Sequence, residues 1–305
     1  MAGCNYCQLY INEAMRRLLI VLLFVVGCVE VMAQDGGRRG HVDVLMGAEF
    51  NYRHLGWRRL YEVLVNLTPA VKWQFGDHWQ IAGQMLVPVF NDYGDYYKRI
   101  RPNMIVLSKE DCIGGSMYFK LSAGLFSRER YGLDLKWMLP VNQWLAFDAQ
   151  LGYTGLYTRA SGDRVWSAMD RLSGWAGARF YLERWNTEFR LRGGRFIYED
   201  YGGYGEVYRH FRHCSIGLYA QWNDKEHANG GFKVIMMLPP YSRKNRTLTV
   251  RPASNFRLTN NINADPYSVK MYETDPEENE REGFFDRQSL RWGANKMEPD
   301  FNVHD

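Results

Sequence analysis

His213 and Ser215 are the residues whose types and spacing come nearest to a reactive pair. On an extended strand, side chains two apart share a face, so a His-x-Ser element can set an imidazole beside the hydroxyl it activates. Here that face also carries Gly217, Tyr219 and Gln221, while Cys214, Ile216, Leu218, Ala220 and Trp222 form the apolar one. A hydrolase acting on membrane lipid would present its pair on the apolar side. The pattern therefore reads as interior polar groups rather than a catalytic pair. His210 and His213 are three apart and face opposite ways on a strand, so they do not make a simple ligand pair. Asn91-Asp92-Tyr93-Gly94-Asp95 offers carboxylates for calcium, but the spacing matches no calcium-loop consensus and reads as a solvated turn. Cys112 and Cys214 lack CxxC spacing, and no P-loop, HExxH, GxSxG or dinucleotide fingerprint occurs. The expectation is a non-catalytic protein without metal or cofactor.

A second set of polar residues recurs on strand-like segments: Lys72, Lys120, Lys136, Arg179, Arg190, Arg192 and Lys233, with Tyr219 and Gln221, against Glu62, Asp134, Asp148, Glu183 and Glu188. Each sits on the polar face of an alternating run, so all are candidates to line an interior. Charges there pair across neighbouring strands. A modest basic excess with Tyr and Gln also suits an anionic or sugar-rich passenger.

The elements that must position these residues follow a period of two. From Tyr61 to Phe75 one face is Tyr61, Val63, Val65, Leu67, Pro69, Val71, Trp73 and Phe75, and the other is mostly polar. Similar runs fall at 116–125, 131–139, 145–154, 172–183, 213–222 and 232–238, with noisier ones at 41–52, 79–90, 101–109, 186–198 and 247–259. This predicts about 12 antiparallel strands between residues 41 and 260. Short links at Gly76-Asp77, 111–115, 140–143, 183–186 and 223–230 alternate with longer, Tyr- and charge-rich ones at 52–59, 91–99, 158–171 and 198–208, Phe126 to Arg130 being shorter. That rhythm, with Tyr61, Trp73, Trp79, Trp137, Trp144, Tyr153, Tyr157 and Trp222 near strand ends, predicts an all-β transmembrane barrel. A secreted β-sandwich is the alternative, but its strands rarely sustain fifteen alternating residues.

Composition bounds the reading. Among 305 residues, 38 Lys+Arg against 34 Asp+Glu leave a formal charge of +4, too little to argue for nucleic acid. A mean hydropathy of -0.42 excludes a polytopic helical membrane protein. Twenty Tyr, 16 Phe, 10 Trp and 29 Gly suit a barrel whose polar lining cancels its apolar exterior in any average.

The chain divides into residues 1–34, 35–260 and 261–305. Met15-Arg16-Arg17 and the apolar run Leu18 to Gly27 read as a signal peptide, cleaved after Val31-Met32-Ala33 or, if Val25-Val26-Gly27-Cys28 is a lipobox, lipidated at Cys28. Residues 261–305 carry five basic and eleven acidic side chains, and Asp275 to Glu282 has no apolar period, so this tail reads as irregular. Its composition is compatible with entering the interior, lying in the periplasm or hanging free.

Gly231-Phe232-Lys233-Val234-Ile235-Met236-Met237-Leu238-Pro239-Pro240, continuing to Val250-Arg251-Pro252-Ala253-Ser254-Asn255-Phe256-Arg257-Leu258, resembles the YjbH/GfcD-like outer-membrane proteins of bacterial exopolysaccharide gene clusters. The resemblance implies an outer-membrane β-barrel of a Gram-negative bacterium. Its role would be the assembly or export of an extracellular polysaccharide, with membrane lipid, polysaccharide and export-machinery proteins as partners and no catalytic residues. A porin-like channel and, behind it, a lipid-modifying barrel enzyme are the alternatives. The barrel is expected to be monomeric.

Overall fold

The structure is a computed structural model that describes residues 40–55, 59–76, 78–114, 116–158, 165–211, 213–225, 228–238, 248–262 and 270–278. The leader, Cys28, Pro239-Pro240 and the tail beyond residue 278 lie outside the described residues. The strands are β1 (His41–Leu55), β2 (Arg59–Phe75), β3 (Trp79–Asn91), β4 (Arg101–Ile113), β5 (Met117–Phe126), β6 (Arg130–Pro140) and β7 (Leu145–Thr158). They continue with the short β8 (Val165–Trp166), β9 (Arg171–Leu182), β10 (Thr187–Arg195), β11 (Tyr201–His210), β12 (Cys214–Asn223) and β13 (Asn229–Met237), then β14 (Leu248–Pro252) and β15 (Asn255–Asn261).

These close into a mostly antiparallel barrel of 13 strands. β8 pairs only with β7, and β14 and β15 act as one stave interrupted at Ala253 and Ser254. An odd number makes the first and last staves run the same way. Accordingly β1 is antiparallel to β2 but parallel to β14 and β15, with Val44 opposite Val250 and Phe50 opposite Leu258. Arg251 of β14 reaches Asp43 of β1 at 3.2 Å, and the Ala253 N–H donates to the Met46 carbonyl at 2.9 Å, so polar contacts reinforce the seam. Closure gives β1 a partner on both sides.

Alternation explains which face turns inward. Leu218 is 66% exposed while its neighbour Tyr219 is 7% exposed. The same contrast separates Leu121 from Lys120, Leu135 from Lys136, Leu151 from Gln150 and Leu172 from Ser173. The outer face is therefore an apolar belt. Trp79, Trp144 and Trp185 are exposed near the lower end, where β1 begins, and Tyr153, Trp166, Tyr201 and Trp222 near the upper end. Tyr61 falls among residues whose side chains are not described.

Two expectations need correction. Residues 198–208 are not a long loop: β11 occupies most of them, pairing with both β10 and β12. Its outward positions include Gly203 and Gly205, so it offers little apolar signal, while Glu206, Tyr208 and His210 point inward and are buried. This added strand moves the 223–230 link to the upper end, opposite the other short turns with which the sequence grouped it. Glu183 is the second correction. It opens an exposed 3-10 turn (Glu183–Trp185) between β9 and β10 instead of lining the interior, because β9 ends one residue earlier.

Candidate functional site

The interior of the barrel is occupied by the chain itself. β15 leaves the barrel at the upper end, and residues 270–278 run back down the inside. At the top, Lys270 pairs with Asp200 at 2.6 Å, and the Ile197 N–H donates to the Lys270 carbonyl at 3.2 Å. Below it, Glu273 and Ser127 exchange hydrogen bonds, Ser127 N–H to the Glu273 carbonyl at 3.1 Å and Glu273 N–H to Ser127 Oγ at 2.7 Å. Arg257 of β15 also reaches the Glu273 carboxylate at 2.6 Å.

Tyr272 is the apolar anchor. Its ring stacks on Phe126 with centroids 5.0 Å apart and joins Met104, Val106 and Ile197 in a buried cluster. Its hydroxyl donates to Asp134 at 2.9 Å. Gly152, opposite Asp134 on β7, makes room for it: a methyl group there would collide with the Tyr272 hydroxyl. Ring and hydroxyl are thus satisfied by different strands, an arrangement suited to a buried tyrosine.

Lower down the contacts are ionic. Asp275 accepts from Lys72 at 3.1 Å, Lys120 at 3.3 Å and Gln80 at 2.7 Å. Burial alone would push the Asp275 carboxyl up; Lys72 and Lys120 outweigh it and hold it well below the ordinary carboxylate range. Glu277 takes a two-pronged contact from Arg251, at 2.7 and 2.8 Å, and accepts the Ser254 N–H at 3.0 Å. Glu278 pairs with Lys136 at 2.6 Å, and Lys136 also donates to Thr274 Oγ1 at 2.9 Å.

Register shows why carboxylates are needed there. Lys120 of β5 lies directly opposite Lys136 of β6, and both side chains are essentially inaccessible. Like charges facing each other across a ladder destabilise it, the more so where water is excluded. Asp275 and Glu278 neutralise that pair from above, with Glu110 helping at 2.8 Å from Lys120.

On the far side of β7 the wall solves the same problem without the tail. Arg179 of β9 faces Arg190 of β10, and Glu188, two residues along β10, takes both, at 2.8 and 2.7 Å. Arg192 pairs with Asp148 at 3.0 Å and lies over the Trp175 ring. Lys233 pairs with Glu206 at 2.8 Å and sits over the rings of Tyr204 and Tyr219. Tyr219 donates to the Asn260 carbonyl at 3.1 Å, and Gln221 is buried on the same strand.

The candidate nucleophile does not meet the histidine first paired with it. His213 precedes β12 and is exposed, so it never shares the strand face with Ser215. Instead Ser215 lies opposite His210 of β11, with Oγ 2.8 Å from Nδ1, and His210 Nε2 is 3.1 Å from Glu188. This serine–histidine–glutamate line has the distances of a relay. Its serine is wholly buried, however, and its carboxylate is already engaged by Arg179 and Arg190. What the arrangement can do as it stands is hold three strands together.

The 91–95 turn is closed by its own contacts: Asn91 donates to the Gly94 carbonyl and accepts the Tyr93 N–H, each at 2.7 Å, while Asp95 pairs with Lys98. Among the described residues, no group of three or more His, Cys, Asp or Glu is placed to hold a metal ion.

Sequence reasoning did not single out Tyr272, Asp275, Glu277 and Glu278. The available signal was the charge asymmetry, -6 over residues 261–305 against +10 over the rest. No protein-family model matches the chain, and no curated protein matches it.

Proposed function

We propose that this is a monomeric outer-membrane barrel whose interior is kept closed by its own tail, and that it works without covalent chemistry in the assembly or export of an extracellular polysaccharide. The observation that carries the membrane part is the closed barrel with an apolar outer belt, aromatic at both margins, around an interior of paired charges. In water, such a belt would be an extended exposed apolar surface. In a bilayer it is the expected outer face, and closure pairs the staves around the ring.

The polysaccharide part is supported by the resemblance of residues 231–240 and 250–258 to the YjbH/GfcD-like proteins, and by the interior's Tyr, Gln and Arg, which suit a glycan. Those segments contribute the closing staves: Lys233 stands on β13, and Arg251 holds both the seam to β1 and the tail. With residues 270–278 docked, a passenger must displace the tail or act on the outer ends of the barrel.

Flotation with lipid vesicles, after removal of residues 1–34, tests the first part. The protein should require detergent and float with lipid; a protein that stays in buffer without detergent overturns the reading. For the passenger, a reconstituted barrel should bind an acidic polysaccharide or prefer anions in conductance, and showing neither would discard that role.

A further inference from the structure

A second cationic feature lies at the upper end, above the ion pairs of Asp275, Glu277 and Glu278. The start of β4 and the β5–β6 hairpin enclose a cavity of about 170 Å³ lined by Arg99, Arg101, Asn103, Glu129, Arg130 and Tyr157 among others. Arg130 opens β6 on an inward position and is 1% exposed. Its Nη2 donates to the Ile197 carbonyl at 2.8 Å and its guanidinium lies over the Tyr198 ring. Nε and Nη1 of the same group are buried with no acceptor among the described residues.

Arg101 reaches the cavity because of a bulge. Gln84 of β3 faces Met104, but Met85 faces Pro102, so Asn103 is the extra residue. Asn103 turns to donate to Gln84 at 2.6 Å, and Arg101 comes to lie against the Tyr97 ring. Arg99 is exposed at the rim. Other charges also act here: Glu49 and Arg128 on Arg101, and Arg171 and Glu199 on Arg130. Glu129 is the carboxylate in the lining itself.

A buried guanidinium with N–H groups unmet is costly, and an oxyanion accepting from two of its nitrogens is the strongest remedy available. We infer that this cavity is a binding site for an oxyanion, a phosphate or carboxylate group, with Arg130 as its buried anchor, Arg101 on the wall and Arg99 at the mouth. The volume is below that of pockets that enclose a whole drug-sized ligand, so the site takes an anionic group rather than an extended molecule. The inference does not depend on the polysaccharide reading.

The test is calorimetric titration of the detergent-solubilised full chain at low salt, with inorganic phosphate in one arm, glucuronate in the other and chloride as control. Saturable binding is expected in at least one arm, and the arm that binds identifies the source of the oxyanion. Arg130→Gln should weaken it about tenfold, the loss of a charge-assisted contact. Arg99→Gln should weaken it less, and Glu129→Gln should tighten it. If Arg130→Gln does not fold, the opposite directions of the two rim variants decide. No saturable binding in either arm, or binding that Arg99→Gln and Glu129→Gln leave unchanged, overturns the assignment.

Discussion

Two like-charged cross-strand pairs flank β7 in the barrel wall, Lys120 with Lys136 on β5 and β6 and Arg179 with Arg190 on β9 and β10. The arginine pair is neutralised by Glu188, which its own strand supplies. The lysine pair draws on Asp275 and Glu278, more than 130 residues further along the chain. One pair is neutralised before the tail arrives; the other is completed by it. The difference separates what holds the barrel together from what closes it.

The largest effect should come from removing the tail's carboxylates. Asp275→Asn with Glu278→Gln strips Lys72, Lys120 and Lys136 of these partners, and breaking a buried pair costs about 3–5 kcal/mol. The tail should then become cleavable by protease in the folded barrel; a tail as protected as in the parent would break the comparison. Glu188→Gln should cost about 3 kcal/mol of barrel stability, read as a lower thermal midpoint, because it leaves Arg179, Arg190 and His210 facing a neutral group. Its tail should stay protected, and this separation of stability from closure is the sharpest form of the contrast.

Intermediate in size is a rescue. Lys136→Met placed in a Glu278→Gln background should recover about 1–3 kcal/mol, measured by a double-mutant cycle, because a buried charge is removed with its partner. Zero coupling would mean that the 2.6 Å contact does not hold the tail. Smallest is Tyr272→Phe, which keeps the stack on Phe126 and loses the hydrogen bond to Asp134, for about 1 kcal/mol and no change in protease protection.

Much of the barrel was legible because period-two alternation is written residue by residue, as along β2 and β12. β11 was not, since Gly203 and Gly205 remove the apolar half of the signal and Tyr201, Gly202 and Tyr204 resemble a loop. Missing one strand also inverted the side assigned to the 223–230 link, because every hairpin flips the ends. The site was harder. Lys120 and Lys136 could be placed on polar faces, but that they stand opposite each other is a matter of register, fixed by turns and packing. Ser215 could be assigned an inward direction, yet its partner is His210 on the strand the sequence concealed. The tail's excess of carboxylates was visible in composition, whereas the side chains that receive them, Lys72, Gln80, Lys120, Lys136, Arg251 and Arg257, lie on six strands and become neighbours only once the barrel closes.

Ion conductance across planar bilayers tests closure by the tail most directly, comparing the chain lacking residues 1–34 with the same chain ended after Asn261. The longer form should insert and pass little current, and the shorter one should show steady open-channel conductance. Equal conductance from the two forms would contradict the claim that residues 270–278 stop the pore.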